Sequence, residues 1–91
     1  NKMKAEIIRA NGDRMFVEPE NKKEFTLKEL QGFVGGYIQI VETRDSRLIV
    51  LNEEGKLNKL PTNGIATAYY KYGKKDAIVG DVIIINKDQI R

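Results

Sequence analysis

The sequence predicts a small α+β domain: a mostly antiparallel sheet with two short helices on one face, in the order β-β-α-β-β-α-β. Three observations predict it. Short runs of apolar and β-branched residues alternate with a period of two. Two other stretches repeat their apolar residues at three and four, the spacing of one helix face. Turn-forming residues separate nearly every run from the next, and strand pairs divided by single helices favour antiparallel pairing. The 91 residues suit one domain, 1–91, with a small core.

The first element pair is a hairpin over residues 4–18. "KAEIIRA" is a short apolar run, "NGD" at 11–13 tolerates the positive φ of a tight turn, and "RMFVE" returns. Alternation puts Phe16 on one face and Met15 and Val17 on the other, and Pro19 ends the strand. "FTLKEL" carries a capping box, Thr26 with Glu29, and a hydrophobic staple, Phe25 with Leu30. Leu27, Leu30, Phe33 and Val34 then define a helix over 27–34, which Gly35-Gly36 stops by taking a left-handed cap.

"YIQIVET" and "RLIVLN" read as a second hairpin around the turn "RDSR", and "NEEG" at 52–55 turns the chain again. Asn63 after Pro61 caps a second helix, whose apolar residues Ile65, Ala66, Ala68, Tyr69 and Tyr72 run to Gly73. "AIVGDVIIIN" closes the domain as an apolar strand interrupted at Gly80-Asp81. It carries few charges to protect an exposed edge, so it is expected at the centre of the sheet. The expected core includes Leu27, Leu30, Phe33, Ile38, Ile40, Ile49, Leu51 and Ile83. Leu57, Leu60 and Ile65 should also point inward from the polar segment 51–67.

Composition limits the function. With 41% hydrophobic and 32% charged residues the chain folds as a globular domain and is not disordered. No apolar run approaches the ~20 residues of a membrane span, and no membrane contact is expected. No secretory signal is visible, and Met3 reads as the natural start after a leftover Asn1-Lys2. The chain has no cysteine, which excludes disulfides and thiolate chemistry and suits a reducing cytoplasm. It has no histidine, which removes the commonest nitrogen ligand for metals and the usual proton shuttle. No metal, no cofactor and no catalytic residue are therefore expected. Net charge is only +3, so attraction to nucleic acid would be weak.

Two surfaces are candidates for binding. The first is the polar stretch holding Asn52, Glu53, Glu54 and Lys56. Its simpler role is a connection, in which Gly55, Pro61 and Asn63 serve turns and caps while the three charged side chains point outward. The adjacent carboxylates Glu53 and Glu54 do not suit acid–base catalysis on a sugar, because neighbours on an extended chain face opposite ways. The second surface is "YYKYGKK", where Tyr72 and the lysines Lys71, Lys74 and Lys75 combine stacking with phosphate attraction. Its simpler role assigns the tyrosines to a buried helix face and the lysines to the helix C-terminus. "VGGY" is no phosphate loop, since its glycines follow a helix and precede a strand.

Three segments carry a resemblance: "LQGFVGGYIQIVE" at 30–42, "LNEEGKLNKLPTNGIAT" at 51–67 and "IVGDVIII" at 78–85. Together they resemble a family of small uncharacterised proteins of bacteriophages and mobile elements of Firmicutes and related bacteria, catalogued as a domain of unknown function. The matching residues are Val34, Gly35, Gly36, Tyr37, Ile38, Asn52, Glu53, Glu54, Gly55, Lys56, Leu57, Leu60, Pro61, Asn63, Ala66 and Thr67. The resemblance transfers no catalytic residue. It implies a setting, a phage or mobile element in a bacterial cytoplasm. The expected function is a non-enzymatic accessory protein that binds a host or phage protein, as in host interaction or anti-defence. The alternative is a small nucleic-acid- or nucleotide-binding module using Lys71 to Lys75. A small enzyme ranks last, and either a monomer or a homodimer suits the sequence.

Overall fold

The computed structural model describes residues 4–90. The expectation about Met3 falls on residues outside those described. The strands are β1 (Ala5–Ile8), β2 (Arg14–Val17), β3 (Ile38–Glu42), β4 (Leu48–Asn52) and β5 (Val82–Ile85). The helices are α1 (Leu27–Val34) and α2 (Gly64–Tyr69). The order β-β-α-β-β-α-β is as the sequence predicts, with one addition, a 3-10 turn at Lys87–Gln89. The strands form one sheet in the order β2-β1-β5-β4-β3, every neighbouring pair antiparallel. The last strand is therefore central, and all four of its residues are buried.

The placement of both helices on one face is corrected. Register aligns Ile7, Ile83 and Val50 on one face, where they pack with Phe25, Leu30 and Val34 of the α1 region. Ile8, Val82, Ile84 and Ile49 alternate onto the opposite face, where Ala66, Ile65 and Tyr69 of α2 cover them with Ile78. The sheet is thus sandwiched between two layers. The reason lies in β4 and β5: "LIVL" and "VIII" are continuous apolar runs, and a strand apolar on both sides must be covered on both sides.

Local chemistry sets the element ends. The Thr26 hydroxyl accepts from the Glu29 N–H at 3.2 Å, and the Glu29 carboxylate accepts from the Thr26 N–H at 2.9 Å, so the capping box is present. Phe25 and Leu30 are both fully buried. Gly35 alone adopts the left-handed cap, with φ 80°, and its N–H donates to the Gln31 carbonyl. Helix α2 is shorter than predicted: it ends at Tyr69, and Tyr70 caps it in an extended conformation. The following turn packs so closely that a Cβ on Gly73 would lie 2.0 Å from the Thr67 carbonyl oxygen. Strand β5 begins only after Asp81, because that side chain is spent on the first hairpin, accepting from the Ala10 N–H at 2.9 Å and pairing with Arg9.

Three burial expectations fail, at Leu27, Ile40 and Leu57, and four weaken, at Phe33, Ile38, Leu60 and Ile65. Leu27 is 57% exposed, because Phe25 fills the core beneath the first turn of α1. Ile40 is exposed on the edge strand β3, which has a sheet neighbour on one side only, while Phe33 and Ile38 are half-buried. Leu57 is 76% exposed on the loop after β4, whereas Leu60 and Ile65 are half-buried.

Candidate functional site

The loop after β4 is built on Asn52. Its Oδ1 accepts from the Glu54 N–H at 2.8 Å, which turns the chain. Its Nδ2 donates to the Val34 carbonyl at 3.2 Å, tying the loop to the end of α1. Asn52 is buried and its polar atoms are committed to the fold, so it supports the surface chiefly from beneath while bordering both concavities beside it. The loop then winds through bonds from the Asn58 N–H to the Glu54 carbonyl and from the Leu60 N–H to the Gly55 carbonyl, both 2.9 Å.

Glu53, Glu54 and Lys56 are exposed, as expected. The structure does not bring them together. Glu54 and Asn58 line an open concavity of about 550 Å³ with Lys28 and Gln31 of α1, the backbone of Gly35-Gly36, and Tyr37. Tyr37 is 66% exposed there, and its carbonyl accepts from the Glu53 N–H at 2.8 Å. Glu53 and Lys56 line a separate depression of about 240 Å³ beside Gln39, Tyr70 and Ile78. Lys56 is ion-paired with Asp76, which also lines that depression. Two neighbouring carboxylates thus border two different concavities. Sequence reasoning missed Lys28, Gln31 and Tyr37; the only signal was the exposed aromatic following a helix stop.

The basic point sits elsewhere. Residues 71–76 form turns beyond α2, so the lysines do not occupy the last helical turn. Tyr72 is 55% exposed, packs edge-on to Tyr70 at 5.9 Å, and has the Lys71 ammonium 5.8 Å from its ring centre. Lys71 also pairs with Glu42 at 3.4 Å, and Glu42 pairs with Lys87 at 2.7 Å. Lys87 first and Lys71 second hold the Glu42 carboxyl below the usual carboxylate range. Lys74 and Lys75 are exposed beside this pair.

A third cluster was not legible in the sequence. Two guanidinium groups approach the Tyr69 ring, Arg14 at 5.8 Å and Arg47 at 5.6 Å from its centre. Arg14 donates to buried Glu6 at 2.7 and 3.0 Å and to the Tyr69 hydroxyl at 3.1 Å. Glu6 foremost, then Tyr69, hold the Arg14 guanidinium above its ordinary value. Arg47 is buried and bound to Asp45, whose carboxyl is lowered chiefly by Arg47 and then by Thr43. These side chains stitch β1, β2, the turn before β4 and α2 together.

Among the described residues, no three His, Cys, Asp or Glu side chains converge as a metal site. No helix among them is long and apolar enough to cross a membrane. Residues 5–90 match the family described as Domain of unknown function (DUF3846). No curated protein and no solved structure matches the chain.

Proposed function

The chain belongs to the DUF3846 family, and from that premise we propose that it is a non-enzymatic accessory protein that binds another protein through the concavity between α1 and the loop after β4. The observation that carries this reading is the concavity itself. It is about 550 Å³, it is the largest among the concavities described, and an exposed aromatic ring and two exposed charged side chains, Lys28 and Glu54, border it. Exposed aromatics set among adaptable polar groups are the usual anchors of protein contacts. Glu29, Glu42 and Asp45, whose titration is displaced, are each explained by a cap or an ion pair that holds the fold. That leaves contact as the chemistry this surface offers.

The setting we propose is a phage or mobile element in a bacterial cytoplasm, with a host protein as the partner. Affinity capture from a bacterial lysate should recover that partner with the unaltered chain. Tyr37→Ala combined with Glu54→Ala should reduce recovery at least ~10-fold, as expected when an aromatic anchor is removed. Undiminished recovery with a folded variant rules out this concavity.

A second reading rests on exposed Tyr72 beside Lys71, Lys74 and Lys75. It predicts binding to single-stranded nucleic acid that collapses with added salt, because phosphate contacts release counterions. The Glu42 carboxylate beside Lys71 weakens the local positive field and ranks this reading second.

A further inference from the structure

The two edges of the sheet differ. At β3 the outward backbone is partly closed: the Lys71 N–H donates to the Glu42 carbonyl at 3.0 Å, and Thr43 bridges Tyr70. Charge also guards that end, with Lys71 and Lys87 on the Glu42 carboxylate. Among the described residues, the outer side of β2 carries no such cover. Met15 is 55% and Phe16 64% exposed on its two faces. An open, short edge with exposed apolar side chains is a template for another strand.

The polarity of this edge follows from the hairpin. The Arg9 N–H donates to the Asp13 carbonyl at 2.8 Å, so Asp13 faces β1. Antiparallel alternation then turns the backbone of Met15 and Val17 inward and that of Arg14, Phe16 and Glu18 outward. The stretch "RMFVE", Arg14 to Glu18, is self-complementary about Phe16. In an antiparallel pair centred there, Phe16 meets the partner's Phe16, Met15 meets the partner's Val17, and Arg14 meets the partner's Glu18. The Phe16 and Arg14–Glu18 pairs fall where outward N–H and carbonyl groups exchange hydrogen bonds. All three side chains at 14, 16 and 18 lie on one face by alternation.

The charges fit that register. Arg14 uses Nε and Nη2 on Glu6 and Tyr69, which leaves Nη1 available to a further carboxylate. Glu18 is exposed and has no ion-pair partner among the described residues. Moving the register two residues one way sets Arg14 opposite Phe16. Moving it the other way sets Arg14 opposite Glu20, whose N–H is already donated to the Glu29 carboxylate at 3.0 Å and which lies in the turn closed by the Lys22 N–H on the Pro19 carbonyl.

We infer that the β2 edge pairs with a second copy of this chain, joining two five-stranded sheets into one through a two-fold axis at Phe16. Such an interface is isologous, so one self-complementary stretch suffices. The cross-strand pairs would bury both phenylalanine rings and place opposite charges across from each other at both ends.

Sedimentation of the full chain from micromolar to millimolar concentration tests this. A monomer–dimer equilibrium is expected. Phe16→Lys should weaken association at least ~10-fold, since it removes a central aromatic and adds like charge at the axis. Glu18→Lys, which faces Arg14 of the partner, should weaken it in the same sense. Both positions are exposed, so each variant should keep its thermal midpoint at the lowest concentration. Hydrogen exchange gives an independent readout: the Phe16 amide should slow as concentration rises, while the Met15 amide, already in the ladder, should not change. A monomer at every concentration overturns the inference. A dimer indifferent to both substitutions also overturns it and assigns the contact to another surface. Protection of the Phe16 amide only by an added strand-forming peptide would give the edge to a foreign segment instead.

Discussion

Asn63 is the side chain on which the second layer depends most. It is 1% exposed and joins three elements. Its Oδ1 accepts from the Ala66 N–H at 3.0 Å and caps α2. Its Nδ2 donates to the Ile8 carbonyl of β1 and to the Gly80 carbonyl ahead of β5, both at 2.9 Å. Asn63→Ala removes all three bonds and leaves three polar groups facing a methyl. A hydrogen bond contributes about 1 kcal/mol net, and an orphaned buried partner costs about 1–3 kcal/mol. Allowing for relaxation and water entry, the variant should lose about 3–5 kcal/mol. A domain of this length has roughly 5–14 kcal/mol in total, so the loss is a large share. Asn63→Ser keeps a cap acceptor but not the two donors, and should recover about 1 kcal/mol of that loss. Asn63→Asp keeps the cap but points an oxygen at two carbonyls. Burial and those oxygens raise the folded-state pKa of the new carboxyl. Its neutral form is favoured, so stability is kept at low pH and lost as pH rises through the folded value. Urea denaturation at neutral and acid pH measures all three variants. A loss under ~1 kcal/mol for Asn63→Ala would refute the argument that this side chain holds the layer.

Three further outcomes are expected. Gly35→Val should destabilise by at least ~1 kcal/mol, through the left-handed φ and not through lost contacts, and a thermal midpoint equal to the unaltered chain's would remove the cap argument. Glu53→Ala, Glu54→Ala and Leu57→Ala should each change stability by less than ~0.5 kcal/mol in chemical denaturation, because all three side chains are exposed. Acidification should destabilise the unaltered domain: Glu29, Glu42 and Asp45 all titrate below their ordinary values, held chiefly by the Thr26 N–H, Lys87 and Arg47 respectively. Their contribution is complete above the ordinary carboxylate value near 4 and disappears as pH falls through the lower folded values, which melting curves across that window would follow.

Local chemistry was legible in the chain by itself. The capping box of Thr26 and Glu29, the Asn63 cap, the left-handed stop within Gly35-Gly36 and the "NGD" hairpin each depend on neighbours a few residues away. Strand order was partly legible as well, because "AIVGDVIII" has too few charges to survive at an edge. Which face each helix covers was not read correctly, although the signal existed: "LIVL" and "VIII" are apolar at every position, and strands of that kind are buried on both sides. The tertiary structure alone decided the rest. Asn52 looks like any exposed polar residue until Val34, eighteen positions away, claims its amide. Glu53 and Glu54 are adjacent in sequence, yet they border different concavities, because the turn at Asn52 sends them apart. Tyr69 meets Arg14 and Arg47 only because pairing of β1 with β2 and packing of α2 on the sheet bring three distant segments to one point. Caps and periodicity act over one or two turns of chain, so a sequence displays them. The side chains that a binding surface uses are assembled by long-range packing, whose partners no local pattern names.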